Sequence, residues 1–200
     1  MAYEVTKVGK YTVCGPRHAR LVVLMDSIAW TRPYTFWVNL CLATFQDVFS
    51  MPVRAICIGG ARVLNGDYKK MYEEVMLKER CQYILVVALG NDVYKLGAQS
   101  SAYYSSFGDQ LVSLKEYGEV GLVFGGSSSI WGYTDDVYDY HVRRVCAECR
   151  KRLVYVSAGL ELQGVETADC IGHVRARSSN ILFNALVSWM RGLVRVRSKL

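Results

Sequence analysis

The sequence predicts an α/β protein built on one mainly parallel sheet with helices on both faces. Three observations predict it. Five short apolar runs recur along the chain, continuous rather than alternating, as strands buried on both faces do. Segments with apolar residues at helical spacing separate them, so successive strands are joined by crossovers and run parallel. Each run stops at Gly, Asn, Asp or Ser, the residues that punctuate strand ends.

The first strand is expected over residues 20–25, Arg-Leu-Val-Val-Leu-Met, ending at Asp26-Ser27. Residues 34–49 carry Trp37, Leu40, Cys41, Thr44 and Phe45 at helical spacing, with Pro33 suited to the first turn. Residues 53–58 form the second strand, stopped by Gly59-Gly60. A helix follows, capped by Asn65 or Asp67, with Tyr68, Met71, Tyr72, Val75 and Met76 on one face. Residues 83–89 form the third strand, ended by Gly90-Asn91-Asp92. Residues 95–106, rich in Ser, Gly, Ala and Tyr, read as a loop. Phe107, Leu111, Leu114 and Tyr117 mark a short helix ending near Gly118. The fourth strand covers 120–124 and runs into Gly125-Gly-Ser-Ser-Ser129. Thr134 caps the next helix, whose stripe is Tyr138, Val142, Val145 and Cys149. The fifth strand covers 153–157, and a polar loop then carries Asp169 and His173. Ser178 or Ser179 caps a last helix with Leu182, Leu186, Trp189 and Leu193 along its buried side.

At 200 residues and 52% hydrophobic composition, the chain suits a single domain with a full core rather than a disordered chain. The expected division is an N-terminal arm at 1–18, the domain at 19–194 and a basic tail at 195–200. Both ends are expected to fray. The polar N-terminus does not read as a signal peptide, and no apolar stretch is long enough for a membrane span. The seven cysteines are odd in number and scattered, which reads as reduced thiols in a cytoplasmic protein. A net charge of +6 favours anionic partners weakly and identifies none.

Four special segments follow strands one, two, three and five, so all four fall on one rim of a parallel sheet. Ligands of open α/β sheets bind at that rim. Ser27 is the candidate nucleophile, and a serine hydroxyl needs a base within hydrogen-bond reach. Of the three histidines, His18 precedes the first strand and belongs to the opposite rim, and His141 lies within a helix. His173 is the one base that topology positions. Asp169, four residues earlier, is the candidate orienter of its imidazole. An oxyanion needs preorganised donors. The backbone N–H of Gly60, the side-chain amide of Asn91 and the backbone N–H of Ser27 supply them.

These blocks resemble those of the SGNH (GDSL-type) hydrolases. The carriers are Met25-Asp26-Ser27, Ile58-Gly59-Gly60-Ala61, Leu89-Gly90-Asn91-Asp92 and Asp169-Cys-Ile-Gly-His173, in the family's order. The resemblance implies a flavodoxin-like three-layer α/β/α sandwich with a five-stranded parallel sheet in the order 2-1-3-4-5. It implies cleavage of acyl, lipid or sugar esters without metal or cofactor. It makes Ser27 the nucleophile and an oxyanion donor, Gly60 and Asn91 the other donors, and His173 and Asp169 the rest of the triad. Three positions depart from the family's pattern. Met25 stands for its glycine, Leu89 occupies the glycine position of the third block, and Asp169 and His173 are four apart rather than three. Glu166 is the nearest other carboxylate.

Other features have plain readings. Cys146-Ala-Glu-Cys149 lies in a helix without a second pair, which reads as packing rather than a metal site. Gly125–Ser129 lacks the lysine of a phosphate-binding loop. Trp131, Tyr133, Tyr103 and Tyr104 are either a wall of an acyl pocket or exposed loop aromatics. Asp92 reads as a structural hydrogen-bonding residue. Arg191, Arg195, Arg197 and Lys199 form a basic end that suits solvent, with contact to nucleic acid the less favoured reading. The departures motivate an alternative function: a catalytically weakened binding module for an acyl or sugar ligand, or for nucleic acid.

Overall fold

A computed structural model describes residues 4–26, 46–47, 50–88, 91–92, 101–124, 135–152, 154–156, 187 and 191–192. The elements are β1 (Val5–Val8), β2 (Tyr11–Cys14), β3 (Leu21–Met25), β4 (Val53–Cys57), α1 (Asp67–Met76), β5 (Tyr83–Ala88), α2 (Ser101–Val112), β6 (Glu119–Phe124), α3 (Asp135–Lys151) and β7 (Tyr155–Val156). A 3-10 turn over Ser113–Glu116 extends α2. The expected helices over 34–49 and from 178 fall almost wholly outside the described residues, as do Ser27, Asp169 and His173.

The seven strands among the described residues form one sheet in the order β1-β2-β4-β3-β5-β6-β7. The five strands foreseen in the sequence are β3 to β7. They are parallel and lie in the expected order 2-1-3-4-5. The sheet has two strands more than expected. The segment expected to fray contains a β1–β2 hairpin that pairs antiparallel with β4, so the sheet is mixed. The hairpin turns at Gly9-Lys10, where Gly9 takes φ 56, a conformation that glycine adopts freely.

Both faces of the parallel strands are buried, and residue parity divides them. Val22, Leu24, Ile56, Ile84, Val86, Ala88, Val120 and Leu122 share one core cluster with the buried residues of all three described helices. Thus α1, α2 and α3 cover the same face. The alternate residues (Leu21, Val23, Met25, Val53, Ala55, Leu85, Val87 and Val123) are buried on the other face. This double coverage is why the strands read as unbroken apolar runs.

Helix α1 buries Tyr68, Met71, Tyr72, Val75 and Met76, the five residues of the expected stripe. Their burial stabilises the helix–sheet contact by on the order of 10 kcal/mol. Its N-cap is neither Asn65 nor Asp67. Gly66 holds that position with φ 72, and no side chain caps it. Asp67 instead turns its carboxylate back to the Arg62 N–H at 2.9 Å. Helix α2 begins at Ser101, inside the stretch that read as a loop. Its stripe of Tyr104, Phe107, Leu111 and Leu114 is buried, and this tertiary burial outweighs the weak helix preference of the serines. No described helix is long and apolar enough to cross a membrane.

Candidate active site

The C-terminal rim of the sheet is set by the registers around β3. Met25 is level with Cys57 of β4 and with Val87 of β5. Adjacent strands lie about 4.8 Å apart. Ser27 therefore follows the rim by two residues, Gly60 by three and Asn91 by four, on three neighbouring strands. His18 lies before β3, at the opposite rim, where Nδ1 approaches Glu79 at 3.5 Å.

The approach to Ser27 is buried. Met25 is 1% exposed and Asp26 fully buried. The Met25 side chain is thus absorbed by the core and adds no bulk to the rim. The Asp26 backbone is tied to β4, since its carbonyl accepts the Cys57 thiol at 3.6 Å. The Met25 carbonyl accepts the Ile58 N–H at 3.3 Å. Burial raises the Cys57 thiol well above its ordinary range, with the Asp26 charge adding to the effect, so it remains a neutral donor.

Gly60 is exposed, with φ 76. A Cβ there would meet nothing within 4 Å, so the glycine answers to backbone conformation rather than crowding. The chain after Gly60 is held closely. Ala61 and Val63 bury their side chains. Three successive N–H groups find carboxylates: Arg62 finds Asp67 Oδ2 at 2.9 Å, Val63 finds Asp92 Oδ2 at 2.9 Å, and Leu64 finds Asp92 Oδ1 at 3.4 Å.

Asn91 and Asp92 form the turn that ends the β5 side of this arrangement. Asp92 is 3% exposed, and its bonds cross to the Gly60 loop, which joins the two strand ends. Burial pushes its carboxyl up to about 7. The two N–H donors oppose that rise, and the nearby Asp26 charge adds to it. From the other side, the Tyr103 hydroxyl donates to the Asp92 carbonyl at 3.0 Å. Tyr68, in the first turn of α1, donates to the Val87 carbonyl at 3.3 Å, and burial holds its phenol protonated. Asn91 differs from these neighbours. Its Nδ2 is screened from solvent and has no hydrogen-bond partner among the described residues.

The geometry thus brings Gly60 and Asn91 onto the ends of the two strands that flank β3, on either side of the point where the chain runs on to Ser27. Ser27, His173, Asp169, Glu166, Leu89, Gly90, Trp131 and Tyr133 lie outside the described residues. Tyr104 lies within α2, buried, with its hydroxyl against Nδ1 of buried His141. Burial lowers the pKa of that imidazole. Cys146 and Cys149 are buried in the main core cluster. Among the described residues, no group of His, Cys, Asp and Glu is arranged to hold a metal ion. The role of Asp92 in joining two loops had no signal in the sequence, because its partners are backbone groups 28 and 29 residues away.

No family model matches the chain, and no curated protein matches its sequence. Solved structures do match its fold. A lipase/acylhydrolase from Enterococcus faecalis superposes with a TM-score of 0.62 at 15% identity, over 86% of this chain and 96% of that one. A candidate SGNH hydrolase from Slackia heliotrinireducens superposes with a TM-score of 0.56 at 12% identity, over 86% of this chain and all of that one.

Proposed function

We propose that this chain, which has the fold of the SGNH-type hydrolases, is a serine hydrolase of carboxylic esters. The reading assigns Ser27 as nucleophile, His173 as general base and Asp169 as orienter of the imidazole. The Ser27 N–H, the Gly60 N–H and the Asn91 amide are the oxyanion donors. His173 takes the Ser27 proton as Oγ attacks the ester carbonyl. The carbonyl oxygen becomes an oxyanion facing the three donors. His173 then protonates the departing alcohol as the acyl-enzyme forms. Water, deprotonated by the same imidazole, attacks the acyl-enzyme, and the collapse of the second oxyanion releases the acid and restores Ser27. The substrate is a small-molecule, lipid or sugar ester. Assignment to the cytoplasm rests on the sequence alone.

The observation that carries this reading is the Asn91 amide, whose Nδ2 is buried without a partner among the described residues. A buried donor without an acceptor costs about 1–3 kcal/mol. Such a group calls for an explanation, and catalysis supplies one. Here the donor sits at the correct rim, one strand from β3, opposite a glycine with a free conformation. A donor held ready for charge that develops only in the transition state has this character. The register of β3, β4 and β5 supports the assignment, because it aligns the three blocks without any rearrangement of the sheet.

Hydrolysis of p-nitrophenyl acetate and butyrate tests the reading, together with labelling by a fluorophosphonate. The parent should turn over at least one ester and label rapidly. Ser27→Ala should lose the label and about 10³-fold or more of kcat. Equal activity in parent and Ser27→Ala would reject Ser27 as nucleophile. A parent that binds esters but neither labels nor turns over would instead be a binding module.

A further inference from the structure

The proposed oxyanion site draws its donors from three strand ends, and two of them, Gly60 and Asn91, belong to separate loops on either side of β3. Its geometry depends on whatever fixes those loops relative to each other. A displacement of about 1 Å in such a site is enough to lose much of the rate. The described residues contain one side chain that spans the two loops at this level. It is Asp92, adjacent in sequence to Asn91, with both carboxylate oxygens directed at N–H groups three and four residues beyond Gly60.

Resting on the hydrolase reading, we infer that Asp92 is a positioning residue. Its carboxylate holds the Gly60 loop against the Asn91 turn and so sets the separation of the two oxyanion donors. The Tyr103 hydroxyl, bonded to the Asp92 carbonyl at 3.0 Å, fixes the turn from the α2 side. Asp67 completes the hold by accepting the Arg62 N–H, so the stretch after Gly60 has little freedom to recoil. Burying a carboxyl is costly, and the rise of Asp92 to about 7 reflects that cost. A fold that needed only a filled cavity here would be served as well by an apolar residue. The carboxyl is suited to a different task, because one side chain accepts from two successive N–H groups across a gap between loops.

The test compares the parent with Asp92→Asn, Asp92→Ala and Tyr103→Phe. Initial rates are measured well below each variant's Tm, alongside fluorophosphonate labelling. Asp92→Ala should lower kcat by about 10- to 100-fold with KM within about twofold, since oxyanion donors act mainly on the transition state. Asp92→Asn keeps one acceptor oxygen and should fall between Asp92→Ala and the parent. Tyr103→Phe should lower kcat by about two- to fivefold, and its labelling rate should fall in step. A lower Tm with unchanged kcat in the Asp92 variants would overturn the inference and leave Asp92 a stabilising residue only. If neither Asp92 variant folds, Tyr103→Phe decides, and a parental kcat there overturns it. A parent that fails to label is a different result: it removes the hydrolase reading itself and this inference with it.

Discussion

Gly15 runs so close to β4 that a methyl group on its α-carbon would collide with the Val53 carbonyl oxygen. Its φ of 102 also lies where side-chain-bearing residues are strained. The chain leaves the β1–β2 hairpin at this point and turns toward β3. Gly15→Ala should therefore lower stability by about 2–4 kcal/mol in urea unfolding. Amide exchange should accelerate first in residues 5–14, ahead of β3 and β5.

Asn91→Ala should separate activity from stability. On the hydrolase reading, loss of the Asn91 amide as an oxyanion donor should reduce kcat by about 10²- to 10³-fold with little change in KM. Removing a buried amide that has no partner among the described residues should leave Tm unchanged or raise it slightly. Steady-state kinetics and a thermal melt on the same preparation check both. A variant that loses stability together with activity would show that the amide has an architectural role.

Two buried groups give the fold opposing pH dependences. The Asp92 carboxyl is raised from 3.8 to about 7, mainly by burial, with the Asp26 charge adding and Arg62 opposing. Between those values the folded chain binds a proton that the unfolded chain has released. Its contribution is complete below about pH 4 and is lost as the pH rises through about 7. His141 is lowered from 6.5 by burial, so the unfolded chain takes up the extra proton there. Its contribution is present above pH 6.5 and falls away in acid. Asp92→Asn should abolish the first dependence, of the order of 2–4 kcal/mol, and leave stability rising from pH 5 to 7. Urea midpoints at pH 5, 6 and 7 for parent and variant measure this.

Leu24 is fully buried at the centre of the shared core, on the face covered by the three helices. Leu24→Ala should cost about 2–5 kcal/mol, the range for cavities in well-packed interiors. Chemical denaturation gives the value directly. Leu77, 63% exposed at the end of α1, should tolerate alanine with a change under about 0.5 kcal/mol.

The strands that read clearly are those whose two faces are both covered. Leu21–Met25 and Tyr83–Ala88 are apolar throughout, so no periodicity had to be judged. Val5–Val8 and Tyr11–Cys14 read poorly because each is four residues long and β1 is half solvated. Their signal was the Gly9-Lys10 turn between two Val- and Thr-containing pieces. The start of α2 was hidden by its serines, although Tyr104, Phe107, Leu111 and Leu114 already had helical spacing. The placement of Gly60 and Asn91 on one rim was legible because parallel strand ends dictate it. The clasp made by Asp92 was not, since a carboxylate gives no hint of which distant backbone groups it will meet. The expected bland role of Asp92 was right in kind, but its bonds leave its own loop.

The hairpin has a consequence for the molecule's relations with its own copies. Without it, β4 would present a bare ladder of unpaired amides and carbonyls to any passing chain. With it, the outermost strand on that side has four residues, and Thr6 and Lys7 in its middle stand in water. A foreign strand laid alongside would find a short border and a charge to desolvate. On the far side β7 has two residues among those described, and Gly192 lies so close to it that a Cβ there would collide with the Tyr155 hydroxyl. On the hairpin side, brevity and charge thus guard the margin of the sheet against a second copy.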